Sequence, residues 1–129
     1  MSQKQKPTEA ELDILSVLWQ NGPSTVRFVH EKLSASRQVG YTTTLKQMQI
    51  MHDRNMLSRR KMGKTHIYNA LLSQDETQQD LLNKLVDTAF EGSAMKLVMQ
   101  ALGNGQTTQE ELNEIRNFLD ALEDDSTNK

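Results

Sequence analysis

Residues 41–69, YTTTLKQMQIMHDRNMLSRRKMGKTHIYN, set the fold. At about 100° per residue, Thr44, Met48 and Met51 fall on one side of a helix, with Gln47 at its margin. Thr42, Lys46, Gln49 and Asp53 fall on the opposite side. This pattern predicts an amphipathic helix from Tyr41 to about Arg54, closed by Asn55, a residue type that tolerates left-handed backbone angles. Two strand candidates follow, Leu57–Lys61 and Thr65–Asn69, joined by a tight turn at Met62-Gly63-Lys64. So short a hairpin has little stability of its own and must lean on helices.

The residues upstream supply those helices. Thr8-x-x-Glu11 is a capping box, and Leu12, Leu15, Leu18 and Trp19 follow at helical spacing, predicting a helix from about Glu9 to Gln20. Asn21-Gly22-Pro23 stops it. Ser24 is expected to cap a second helix whose buried stripe is Val26, Val29 and Leu33. The polar stretch Ser34 to Gly40 reads as a loop.

Three helices followed by a hairpin is the order of a winged helix-turn-helix domain, here residues 1–72. In that architecture the third helix enters the DNA major groove and the hairpin lies along the backbone. Thr42, Thr43, Lys46 and Gln49 are therefore the expected groove contacts. Arg59, Arg60, Lys61 and Lys64 in the wing are the expected phosphate contacts, because neutralising phosphates releases counterions. A polar helix stripe alone is usually a solvated face, and a basic hairpin alone often only protects a sheet edge. Their occurrence together, in this order, favours double-stranded DNA as partner over a winged-helix adaptor that binds only protein.

Charge supports the same division. The net charge of −2 is the sum of a basic and an acidic half. Residues 1–72 carry 11 Lys+Arg against 5 Asp+Glu, and residues 73–129 carry 4 against 12. A basic lobe beside an acidic one suggests polyanion binding by the first and a different task for the second.

That second part, residues 73–129, reads as helical throughout. Ser73-x-x-Glu76 is a capping box ahead of a stripe of Leu81, Leu82, Leu85, Val86, Ala89 and Phe90. Gly92 interrupts it, and Ser93 can cap a helix bearing Met95, Leu97, Val98, Met99, Ala101 and Leu102. Gly103-Asn104-Gly105 breaks the chain again, and Thr108-x-x-Glu111 caps a last helix with Leu112, Ile115, Phe118, Leu119 and Leu122. So few residues cannot bury so many large apolar side chains, which marks a partner surface, and a symmetric homodimer is the commonest solution. Leu97, Val98, Leu112, Ile115, Leu119 and Leu122 are the expected dimerisation residues. Met1–Lys6 and Asp124–Lys129 are expected to fray.

Other functions find little support. With 0 cysteines there is no disulfide, thiolate metal site or cysteine nucleophile. His30, His52 and His66 lack metal-ligand spacing, and Gly103-Asn104-Gly105 lacks the Lys-Ser/Thr of a phosphate loop. The chain reads as a non-enzyme without cofactor. The longest apolar run is three residues, such as Val17-Leu18-Trp19, far short of a membrane span, and no targeting segment is evident. The expected location is the cytoplasm, without membrane insertion.

Several stretches together resemble the penicillinase-repressor family, the BlaI/MecI/CopY-type winged-helix repressors. They are Thr8-Glu9-Ala10-Glu11-Leu12-x-Ile14-Leu15, Trp19, Thr25-Val26-x-x-Val29-His30-Glu31-x-Leu33, Tyr41-Thr42-Thr43 and Arg59-x-x-x-Gly63-x-x-x-x-Tyr68. Phe90-x-Gly92-Ser93 and Thr108-x-x-Glu111-Leu112-x-x-Ile115 extend the match through the second half. The resemblance implies a mainly α fold, with an N-terminal winged helix binding half of a dyad operator and a C-terminal helical region forming the dimer. It places Thr43 at the start of the recognition helix. It also implies relief of repression by cleavage in the dimerisation region, triggered by a membrane-bound sensor metallopeptidase. The Asn-Phe pair cut in the best-known members is absent here, where the helix reads Val98-Met99-Gln100-Ala101. Ile50 and Asn55 also depart from the family's usual arginine and glycine.

Overall fold

The computed structural model describes residues 6–127, and its contacts divide the chain into two compact units at Leu81/Leu82. The first unit contains α1 (Glu9–Asn21), β1 (Ser24–Thr25), α2 (Val26–Ser34), α3 (Tyr41–Asp53), β2 (Leu57–Met62) and β3 (Thr65–Ala70). The division falls within α4 (Gln74–Ala89), whereas the sequence reading set it at residue 72. The first turns of α4 belong with the first unit, where Thr77 is buried.

The capping box at α1 forms in full. The Glu11 backbone N–H donates to Thr8 Oγ1 at 3.2 Å, and the Thr8 N–H donates back to Glu11 Oε1 at 2.9 Å. Gly22 closes α1 at φ 79°, a backbone angle that glycine adopts without the steric penalty of a Cβ.

The start of α2 differs from the sequence expectation. Thr25, not Ser24, is the cap, accepting from the Phe28 N–H at 3.1 Å. Ser24 instead pairs with Tyr68 in a two-residue strand and donates its hydroxyl to the Gly22 carbonyl. The hairpin thereby becomes a three-stranded antiparallel sheet in the order β1-β3-β2. Strands β2 and β3 pair from Leu57↔Ala70 to Met62↔Thr65, leaving only Gly63 and Lys64 in the turn. Gly63 has φ 63°, the positive angle that a two-residue hairpin turn requires.

One core binds the helices to the sheet. Ile14, Leu15 and Leu18 of α1, Val26, Val29 and Leu33 of α2, and Met48 and Met51 of α3 are buried with Met56, Leu57 and Tyr68. Asn55 has φ 64°, the left-handed conformation expected after α3, and the chain then turns directly into β2. Trp19 Nε1–H donates to the Leu72 carbonyl at 3.0 Å and ties the exit of the sheet back to α1.

The second unit contains the end of α4, α5 (Ala94–Gly103) and α6 (Gln109–Thr127). Ser93 caps α5 through the Lys96 N–H, and Thr108 with Glu111 forms a complete capping box on α6. At Ser73, the hydroxyl accepts from the Glu76 N–H at 3.3 Å. Helix α6 extends through Thr127, so it includes Asp124 and the residues just after it, where the sequence reading expected a frayed end. The expected fraying at residues 1–5 and 128–129 lies outside the described residues.

Candidate nucleic-acid interface

The site begins with how α3 is held. Thr44, Met48 and Met51 are fully buried, and Gln47 is half-buried at the edge. That anchoring turns Thr42, Thr43, Lys46, Gln49 and Asp53 to the exterior, and all five are exposed. Thr44 Oγ1 lies 3.4 Å from the Gly40 carbonyl, so this buried hydroxyl has a backbone partner at the first turn.

Both ends of α3 are fixed to neighbouring elements. At its start, Tyr41 meets the His30 ring of α2 edge-on, with centroids 5.6 Å apart at 83°. Just beyond its last turn, Arg54 Nη1 donates to Glu11 Oε2 at 3.2 Å. The Glu11 side chain is only 10% exposed and serves two roles, completing the α1 cap and accepting the arginine. Sequence reading missed this pair because its members are 43 positions apart and no local pattern links them.

The wing cations do not form one patch. Side chains alternate across a strand. Arg59 and Lys61 share the face of β2 that carries the partners Tyr68 and His66, while Arg60 lies on the opposite face against Ile67. Arg59 Nη1 is 3.5 Å from the Tyr68 hydroxyl. Arg60 and Arg59 both border a shallow depression with Pro23, Ser58, Ile67 and Asn69. All four wing cations are exposed.

Between α3 and the wing runs an open cleft of about 340 Å3. Gln49 and Lys64, read from the sequence as a groove contact and a phosphate contact, line it together. So do Arg27, Tyr41 and His66, which the sequence reading did not select. Arg27 could have been found only through β1, since that strand brings the start of α2 beside β3. The cleft is thus bordered by cations and amide or hydroxyl groups, the set that meets phosphates and base edges.

In the second unit, the six residues selected for dimerisation divide into two groups. Leu97, Leu112 and Ile115 are half-buried, whereas Val98, Leu119 and Leu122 are exposed. Met95 and Phe118 are more exposed still, at 72% and 63%. The carboxyl of Glu111 is held below the ordinary glutamate range, first by the hydrogen bond from the Thr108 backbone and then by the Thr108 hydroxyl. Among the described residues, no group of three or more His, Cys, Asp or Glu side chains is placed to hold a metal, and no helix is long and apolar enough to cross a membrane.

Comparison with known proteins places these features in a family. Residues 7–121 match the model of the penicillinase repressor family. Transcriptional regulator BlaI of Mycobacterium tuberculosis is 32% identical over 75 residues, covering 57% of this chain and 54% of that protein, so the match spans about half the relative's length. Methicillin resistance regulatory protein MecI of Mammaliicoccus sciuri is 18% identical over 112 residues, covering 87% of this chain and 91% of that one. Among solved structures, a MarR family protein from Bacillus stearothermophilus superposes with a TM-score of 0.51 at 15% identity, covering 95% of this chain and 77% of that one. That likeness supports the winged-helix fold.

Proposed function

Because the chain belongs to the penicillinase-repressor family, we propose that it acts as a dimeric transcriptional repressor on a dyad-symmetric, double-stranded DNA operator. One observation carries the reading. Thr44, Met48 and Met51 of α3 are fully buried, and its exterior exposes Thr42, Thr43, Lys46 and Gln49, of which Gln49 lines the cleft together with Lys64. A helix so presented offers hydroxyls, an amide and a cation at the scale of a major groove. Arg59, Arg60, Lys61 and Lys64 then contact phosphates on either side of the wing, and the basic balance of residues 1–72 favours approach to a polyanion.

Dimerisation in this reading uses the exposed part of the apolar set. Val98, Leu119 and Leu122 meet a second copy, while the half-buried Leu97, Leu112 and Ile115 support them from within the unit. Two weak half-site contacts then act as one bivalent binder. Regulation by a membrane-bound sensor metallopeptidase belongs to the same proposal. A cut in α5 near Val98-Met99-Gln100-Ala101 would separate the two DNA-binding units and end bivalency. Val98, Met99, Gln100 and Ala101 are all exposed.

Fluorescence anisotropy with an end-labelled random-sequence duplex tests the DNA reading. Binding at low ionic strength that weakens steeply with the logarithm of salt supports it. No duplex binding in dilute buffer contradicts it and favours the protein-only adaptor. Intact-mass analysis after incubation with an induced membrane extract tests the cleavage, and an unclipped chain counts against it.

A further inference from the structure

Ile50 is out of place on its helix. It lies about 40° around α3 from Lys46, within the polar side opposite the buried Thr44, Met48 and Met51. It is 44% exposed. The other large side chain exposed on α3 with an apolar body is Tyr41, which already meets the His30 ring. Counted in turns, Ile50 sits two turns beyond Thr43 and one beyond Lys46, level with Gln49. In the proposed complex a side chain at that place borders the groove next to Lys46, about 100° around the helix from Gln49.

The major groove offers one prominent apolar group on base edges, the C5-methyl of thymine. The remaining edge groups are hydrogen-bond donors and acceptors, and an isoleucine facing them would desolvate them without providing a partner. We propose that Ile50 is a specificity-determining residue that selects thymine at one position of each half-site by packing its branched side chain on the thymine methyl. The inference rests on the DNA-binding reading above and adds to it the identity of one base and the residue that reads it. Lys46 and Gln49 flank the contact with polar groups, so the apolar patch stays small and bounded by hydrogen-bonding side chains.

The effect has a defined size. Removing one methyl from such a contact costs roughly fourfold in affinity, and roughly fifteenfold when both half-sites lose it. The full-length protein is passed through binding selection against two random-core duplex pools, one synthesised with thymidine and one with deoxyuridine, which differ only in that methyl. Anisotropy titrations then compare single thymidine-to-deoxyuridine replacements in the selected duplex. The proposal expects one thymine per half-site that is enriched in the first pool, not in the second, and whose replacement weakens binding by these factors. Ile50→Ala should erase that difference between thymidine and deoxyuridine duplexes while keeping the helical circular dichroism. A selected site indifferent to every methyl, or an Ile50→Ala protein that still discriminates, overturns the inference and leaves DNA binding intact. Absence of binding to either pool overturns the DNA reading and the inference with it.

Discussion

Changing Lys61 and Lys64 together to alanine should alter the salt dependence of DNA binding more than the fold. Both side chains are exposed, Lys61 on the β2 face that carries Arg59 and Lys64 in the two-residue turn beside Gln49, so neither substitution opens the core. Each phosphate contact contributes roughly 0.9 to the slope of log affinity against log salt. In the proposed dimer two lysines from each protomer would make about four such contacts, so the variant should flatten the slope by about 3.6. Between about 50 and 200 mM salt, the unaltered protein should then lose roughly 150-fold more affinity than the variant does. The assay is anisotropy of a labelled duplex at several salt concentrations, with far-ultraviolet circular dichroism confirming the fold. A slope unchanged within error would remove both lysines from the phosphate contacts and refute the placement of the wing along the backbone.

Other consequences follow from particular contacts. Leu119→Asp places a charge on a half-exposed apolar site of α6 and should yield monomers in sedimentation velocity; a persistent dimer would take Leu119 out of the interface. Glu11→Ala removes the reciprocal α1 cap bond and one partner of the half-exposed Arg54, at a cost of about 1–2 kcal/mol. In thermal melts followed by Trp19 fluorescence that is a drop of roughly 5–15 °C, and an unchanged midpoint would contradict the double role of this carboxylate. Glu111 should titrate below the other glutamates by carboxyl carbon resonance, because its charged form accepts the Thr108 hydrogen bonds. Its folded value is lowered, so the α6 cap is at full strength above the unfolded glutamate value and weakens as pH falls through the folded one. An ordinary titration at Glu111 would mean that the cap is open in solution.

Much of this architecture was legible in local sequence because the signals were local. The boxes Thr8-x-x-Glu11 and Thr108-x-x-Glu111 satisfy helix ends within four residues, and both form. The buried trio Thr44, Met48 and Met51 follows from helical periodicity, as does the outward placement of Lys46 and Gln49. Asn55 signalled its positive φ by residue type. What escaped depended on pairing at a distance. A two-residue strand has no periodicity, so Ser24 looked like a cap until its partner Tyr68, far along the chain, was known. The Glu11–Arg54 and Trp19–Leu72 links were hidden for the same reason. Arg59, Arg60 and Lys61 read as one basic run, yet strand alternation sends the middle one to the other face. Arg27 and Tyr41 reach the cleft only because the sheet and α2 close around α3. Which apolar residues of the second half face outward could not be read from stripes that were apolar on nearly every side, and burial now separates Val98, Leu119 and Leu122 from Leu97, Leu112 and Ile115.

In the proposed complex the exposed side of α3 and the adjoining wing turn receive the duplex. Titrating nitrogen-15-labelled protein with a short duplex and mapping amide shifts measures this directly. The account predicts that the largest changes cluster at Thr42, Thr43, Lys46, Gln49 and Ile50 and at Gly63 and Lys64, with α6 little affected. Changes concentrated on α5 and α6, with the Tyr41–Asp53 helix silent, would contradict it.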